Sequence, residues 1–276
     1  MRSLISFNGV LTDSDEKLFN SHSRSYKYGD GFFESIKVIN KKPHLFHLHF
    51  DRINRASKWI KLPLKEKWTR EFFEEQIELL CLKNGLTDAR CRITFYRDSD
   101  GFYIPESNKA GFIIEVSEYN GKFKLNDKGL NLDQFQQILK PSNFLSFFKP
   151  LSALHYVLAG IHAAENNLNS VVVFNEMNRV AEAHNANLFI ISDDEIYTPA
   201  LSEYCIDGVM RNHVISQLRK NNYTVHETMI EESDLFSADE MFLTNATQGI
   251  LWVENYRDAV FSFHKTTELH SIVFTY

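Results

Sequence analysis

Lys149 has the surroundings in this chain that most invite chemistry. Phe147 and Phe148 precede it and Leu151, Leu154 and Leu158 follow. In such an apolar neighbourhood a buried ammonium is costly, so the neutral, nucleophilic amine gains weight over the solvated surface lysine that is the commoner case. Arg97 offers a planar fork that suits a carboxylate, and the loop after it, 98–105, has the composition to close over a site; the alternative is a strand cap, or a partner for Asp98 or Asp100. Arg52 falls in a helical stretch, where it is either an anion grip or an i,i+4 partner on an exposed face. Phe33 and Ser35 alternate along a strand-like run and share one face while Glu34 points the other way, and either face can line a pocket. Glu182 opens a Glu-x-x-x-x-Asn-Leu-Phe string that ends Asn187-Leu188-Phe189. Outside that context it reads as a solvated turn glutamate. There are 11 histidines, and His44, His47 and His49 cluster. No carboxylate or cysteine completes a metal-ligand pattern with them, so they read as solvated or capping residues and no metal site is assigned.

The elements that must position these residues alternate between strand and helix. Strands are expected at 4–10 and 31–38, a helix at 45–61 that Pro63 ends, a second helix at 68–84, and strands at 89–97 and 111–119. The polar stretch 120–129 has the composition of a connection, which sets a small N-terminal α+β domain at 1–119 and a larger domain at 130–276. In the larger domain a strand at 130–139 leads to Lys149, followed by a helix at 151–166 and strands at 171–174, 187–192 and 195–197. A helix at 209–220 begins just after Gly208, and strands follow at 224–230, 240–244 and 250–253. Neither an internal repeat nor a low-complexity tract is present.

Composition excludes several partners. The 30 basic and 36 acidic residues give a net charge of -6 without a basic run, which argues against nucleic acid. The 3 cysteines, Cys81, Cys91 and Cys205, match neither a disulfide framework nor a zinc module and suit a reducing compartment. An apolar run of membrane-spanning length and a secretory h-region are both missing from the sequence, so a cytoplasmic protein with no membrane partner is expected.

Taken in order, a series of short strings resembles the class IV aminotransferases, the fold type IV group that includes branched-chain and D-amino acid aminotransferases and aminodeoxychorismate lyase. They are Tyr28-Gly29-Asp30-Gly31 with Phe33-Glu34-Ser35, His49-Phe50-Asp51-Arg52, Lys149-Pro150-Leu151-Ser152, Glu182 through Phe189, Thr198-Pro199, Gly208-Val209-Met210-Arg211 and Thr244-Asn245-Ala246. The resemblance spans nearly the whole chain. It implies an α/β fold of two domains, a small N-terminal sandwich and a larger C-terminal pseudo-barrel, forming a homodimer with pyridoxal 5'-phosphate as cofactor. It makes Lys149 the Schiff-base lysine and proton shuttle, and Glu182 the partner of the pyridine nitrogen with Asn187 in support. Phosphate contacts fall to Arg52, to the Val209 and Met210 backbone at a helix start, and to the loop Asn245-Ala246-Thr247, where Ala246 replaces the family's frequent hydroxyl. Substrate contacts fall to Tyr28, Phe33, Ser35 and Arg97. The small-molecule substrate is then an amino acid with a 2-oxo acid or, since the Asn-Ala pair is closer to the lyases, aminodeoxychorismate. A third reading keeps fold and cofactor without turnover.

Overall fold

The computed structural model describes residues 3–119 and 122–274. Its chain divides into two compact units, Met1–Lys122 with Phe148–Ser152, and Phe123–Phe147 with Ala153–Tyr276.

The first unit contains β1 (Leu4–Phe7), β2 (Val10–Asp13), α1 (Arg24–Tyr28), β3 (Gly31–Ile39), β4 (Lys42–Pro43), α2 (Phe46–Trp59), α3 (Arg70–Lys83), β5 (Ala89–Arg97) and β6 (Ala110–Glu118). Its strands form one antiparallel sheet in the order β2-β1-β6-β5-β3-β4. Where one strand was expected at 4–10, Asn8 and Gly9 both take positive φ, 54° and 90°, and turn β1 back into β2. Asn-Gly is the favoured pair for such a hairpin. Helix α3 starts at Thr69, whose hydroxyl accepts from Phe72 N at 3.2 Å, and buries Phe73, Ile77, Leu80 and Cys81 at helical spacing. Helix α2 buries Phe46, Ile53 and Ala56, and both helices cover the sheet face that carries Ile36, Ile93, Phe95 and Phe112.

The segment Phe148–Ser152 belongs to this unit and not, as the sequence order suggests, to the second. Backbone bonds explain it. Phe33 N donates to Lys149 O at 2.9 Å and Leu151 N to Gly31 O at 3.0 Å, so the segment runs along the start of β3. The Phe148 side chain, 1% exposed, packs on Phe32 and Trp59.

The second unit contains β7 (Leu130–Lys140), α4 (Leu154–Glu165), β8 (Ser170–Asn175), β9 (Val180–Ala183), β10 (Asn187–Ser192), β11 (Glu195–Pro199), α5 (Val209–Lys220), β12 (Val225–Thr228), α6 (Glu232–Ser237), β13 (Glu240–Asn245), β14 (Gly249–Tyr256), β15 (Ala259–Val260) and α7 (His264–Val273). Its sheet runs β12-β11-β10-β13-β14-β7-β8-β9, with β15 paired to β14. Strands β8 and β9 are buried along their whole length, and β10 and β13 along all but their last residue. Helix α4 packs on β7 and β8, and α5 and α7 on β13. Of the expected connection 120–129, Asn120 and Gly121 lie outside the described residues, and Phe123 is buried with its ring stacked on Phe274 at 4.6 Å.

At Gly31 an added Cβ would lie 2.2 Å from the Phe95 carbonyl oxygen and 2.8 Å from Leu151 Cδ1. Gly31→Ala therefore destabilises the first unit by about 1–3 kcal/mol through overpacking where the lysine segment docks. Thermal unfolding checks this, and an unchanged melting temperature would contradict it.

Candidate active site

In the first unit, the two faces of β3 do different work. Glu34 points to α2 and is 1% exposed. Its Oε1 accepts from Arg52 Nε at 2.7 Å, and its Oε2 from Arg52 Nη2 at 2.6 Å and His49 Nδ1 at 2.7 Å. Burial alone would raise the Glu34 carboxyl, but the Arg52 guanidinium, with help from His49, overrides it and the value falls to about 2. Burial pushes His49 down, more than Glu34 raises it. Because an ionised carboxylate only accepts, the His49 proton sits on Nδ1, which leaves Nε2 buried with no partner. His49 is thus neither solvated nor a cap but fully buried, and Arg52, 2% exposed, is on no exposed face.

Phe33 and Ser35 occupy the other, half-exposed face. Lys149 Nζ lies 5.7 Å from the Phe33 ring centroid, and the Arg92 guanidinium stacks on the same ring at 3.6 Å. An aromatic neighbour of Lys149 is this ring; Leu154 and Leu158, expected to contribute, are 67% and 36% exposed. Tyr28 is half-buried with its ring against Tyr103 and under the Arg24 guanidinium.

Arg97 departs from the expected free fork. Its Nε bonds Asp30 at 3.0 Å, Nη1 bonds the Lys61 carbonyl at 3.0 Å and Asn108 Oδ1, and Nη2 bonds the Ile60 carbonyl at 2.7 Å. At 7% exposed, it ties β5 to the end of α2, and its acidic partner is Asp30 rather than Asp98 or Asp100. Arg24 meets the same Asp30 at 2.7 Å and bonds the carbonyls of Gly101 and Phe102, fixing the loop after Arg97.

In the second unit, Glu182 sits inside a strand, β9, and is 2% exposed. Its Oε1 accepts from Lys140 Nζ and Tyr156 Oη. Its Oε2 accepts from Ile206 N at 2.9 Å and Asn187 Nδ2 at 3.4 Å, and Asn187 also bonds the Ile206 carbonyl at 2.8 Å. Burial, then Glu182, pushes the Tyr156 phenol well above its usual range, so it stays a proton donor. Lys140 and Tyr156 escaped sequence reading. Tyr156 shares the helical face of the buried Ala159 and Ala163, a spacing visible in the sequence, whereas nothing local marks Lys140, whose partner is 42 residues away.

Asn187 stands opposite Thr244 in the β10–β13 register, and its Oδ1 is so close to Gly208 that a Cβ there would lie 1.9 Å from it. Gly208 is the N-cap of α5, whose first turn holds Val209 and Met210 without a side-chain cap. Thr244 Oγ1 is buried without a partner, and beyond it Asn245 Oδ1 accepts from Thr247 N at 3.2 Å, Thr247 Oγ1 at 3.0 Å and Gln248 N at 2.8 Å, with Ala246 at the tip.

These two units carry a family signature. The amino-transferase class IV family model matches residues 31–256, and the chain belongs to that family. Aminodeoxychorismate lyase of Vibrio harveyi is 26% identical over 230 residues, covering 82% of this chain and 83% of the relative. D-alanine aminotransferase of Listeria monocytogenes is 22% identical over 248 residues, 87% of this chain and 83% of the relative. The branched-chain aminotransferase of the thermophilic archaeon Thermoproteus uzoniensis, solved with norvaline, shares the fold with a TM-score of 0.89 at 21% identity, covering 99% of this chain and 94% of that one. Another solved branched-chain amino acid aminotransferase, complexed with N-(5'-phosphopyridoxyl)-L-glutamate, has a TM-score of 0.88 at 22% identity over 99% of this chain and 93% of its own. The protein is a fold type IV enzyme of the class IV aminotransferases, and its cofactor is pyridoxal 5'-phosphate. The residues present fit that group: the uncapped α5 start and the orphaned Thr244 hydroxyl suit an anion, while the buried Glu182 suits a protonated ring nitrogen.

Because Glu34 titrates at about 2 in the fold against an ordinary 4.5, its contribution to stability is complete above about 4.5 and is lost as pH falls toward 2. Glu34→Gln leaves Arg52 without its buried counter-charge, and at neutral pH should cost about 3–5 kcal/mol. Denaturant titrations of both proteins across pH should find that gap closing between pH 4.5 and 2; a constant gap would contradict the assignment.

Proposed function

We propose that this enzyme moves an amino group between an amino acid and a 2-oxo acid, with Lys149 as the amine that engages the cofactor. When bound, pyridoxal 5'-phosphate draws electrons from the Cα of an attached amine, which is what transamination requires. Lys149 Nζ would take the proton from the substrate Cα and hold it for return. Glu182 holds positive charge at the ring nitrogen, and its carboxylate is kept from turning by Ile206 N, Asn187 and Tyr156. For the phosphate we assign Arg52 from the first unit, and from the second the amides of Val209 and Met210 with the loop residues Asn245, Ala246 and Thr247. Tyr28, Phe33 and Ser35 shape the substrate's surroundings. The observation that carries this reading is the buried Glu182: a carboxylate with four donors around it and no apolar purpose in an all-buried strand.

The second reading is pyruvate elimination from aminodeoxychorismate to give 4-aminobenzoate, and the Arg97 fork, held by Asp30, Asn108 and two carbonyls, no longer favours an amino acid over it because both substrates carry carboxylates. The similarity to the Vibrio harveyi lyase supports it.

We also place the enzyme in the cytoplasm as a homodimer. Support comes from three free buried cysteines and from an apolar stripe on α4, Leu154, Val157, Leu158 and Ile161, that is 36–67% exposed. Among the described residues no helix is long and apolar enough to cross a membrane.

Holoenzyme assayed with L- and D-amino acids plus a 2-oxo acid, and separately with aminodeoxychorismate, tests the reading. Keto-acid formation that needs the second substrate is expected, and Lys149→Ala should abolish the cofactor's long-wavelength absorbance and lower turnover by at least about 10²- to 10⁴-fold. Pyruvate released from aminodeoxychorismate without a 2-oxo acid would establish the lyase instead, and unchanged turnover in the variant would remove Lys149 from its role.

A further inference from the structure

The acid assigned to the ring nitrogen already meets a cation within its own unit. Lys140, 1% exposed, donates through Nζ to Glu182 Oε1, which also accepts from Tyr156 Oη, while Oε2 takes Ile206 N at 2.9 Å and a long 3.4 Å contact from Asn187. An irregularity in the sheet delivers the lysine there. Phe135 stands opposite Val173 but Lys140 stands opposite Asn175, so β7 bulges against β8, and Glu182 faces Val173 from the other edge of β8. A lysine buried at a strand end is costly unless its charge is met, and Glu182 meets it.

Of the titratable groups around this pair, three are neutral. Burial keeps the His155 imidazole below its usual range, with Lys140 pushing the same way, and holds the Cys205 thiol up at about 12. Burial, with Glu182 beside it, likewise keeps the proton on the Tyr156 phenol. Asp207 and Arg211 are engaged elsewhere, the first accepting from Asn212 at 2.7 Å and the second paired with Glu227 at 2.9 Å. Lys140 is therefore the positive charge set directly on Glu182 among the described residues of the second unit.

We propose that Lys140 is a positioning residue that sets how strongly Glu182 holds the proton of the cofactor's ring nitrogen; this deepens the assignment of Glu182 and rests on it. A carboxylate shared between two cations binds each less firmly than it would bind one alone. A Glu182 without Lys140 would keep the ring nitrogen protonated to high pH. One that also serves Lys140 releases that proton at lower pH, which moderates the ring's pull on substrate electrons. The strength of that pull is thus fixed in part by a residue outside the motif that contains Glu182.

The test reconstitutes the enzyme with cofactor isotopically labelled at the ring nitrogen and follows that atom's NMR shift against pH. Beside it, apoenzyme is titrated with the cofactor and with its deaza analogue, which has carbon in place of the nitrogen. Lys140→Gln keeps a donor and removes the charge, Lys140→Arg keeps the charge, and Tyr156→Phe removes a neutral donor from the same oxygen. Lys140→Gln should raise the pH at which the nitrogen loses its proton by at least about one unit and widen the preference for cofactor over analogue by about 10-fold. Lys140→Arg should stay close to wild type, and Tyr156→Phe should change the preference by less than about 3-fold. An unchanged titration and preference in Lys140→Gln, or a Lys140→Arg protein that behaves like it, would overturn the proposal. Should Lys140→Gln fail to fold, Glu182→Gln is compared with Glu182→Gln combined with Lys140→Met, which buries no charge at either position. The double variant should hold the nitrogen's proton to a pH higher by at least about one unit, and equal titrations would overturn the proposal. A nitrogen indifferent to Glu182→Gln removes the assignment of Glu182 and the proposal with it, whereas one that answers to Glu182 and not to Lys140 removes the proposal alone.

Discussion

A charge taken out of water must find its opposite nearby, and this requirement organises both units. In the first, Arg52 is gripped by Glu34 and Arg97 by Asp30; in the second, Lys140 meets Glu182. Such pairs do little for net stability, but losing one partner strands the other, so each fixes the elements that carry it. Glu34 and Arg52 lock β3 to α2, Arg97 locks β5 to the end of α2, and Lys140 ties the last residue of β7 to β9. Lys149 stands apart from these pairs, set against the Phe33 ring on the half-exposed face of the first sheet.

The placement of Lys149 follows from backbone before side chain. Two bonds to β3 hold its segment, Phe148 anchors it in the core, and Gly31 allows the approach because any Cβ would meet the Phe95 carbonyl. The lysine is presented on the Phe33 face as a consequence. Glu182 is likewise positioned by a ladder: β9 pairs with β8 so that Glu182 faces Val173 in register, while its carboxylate collects donors from β7, α4, β10 and the loop before α5.

Long periodic elements were legible in the sequence because local pattern decided them: β5 and α5 fall at 89–97 and 209–220 as expected. What local pattern cannot decide was missed. Helix α7 has no cap of its own; the buried Glu240 caps it from 25 residues away, accepting from Lys265 N and Thr266 N at 2.8 Å each. Strand β9, Val-Ala-Glu-Ala, has little β propensity and exists through pairing with β8. The site divides similarly. Lys149, Glu182 and Arg52 could be named from ordered motifs, but a motif does not say which acid an arginine will meet. Arg97 was therefore favoured as a carboxylate fork, with Asp98 or Asp100 as the alternative partners, although Asp30 holds it.

Two lysines are candidates for joining the cofactor on geometry alone, one beside Phe33 and one buried against Glu182, and the account depends on the first. Borohydride reduction of the holoenzyme followed by peptide mass mapping separates them. The phosphopyridoxyl mass should be found on the peptide that carries Lys149, with Lys140 unmodified. The same mass on Lys140, or on any other lysine, would contradict the account.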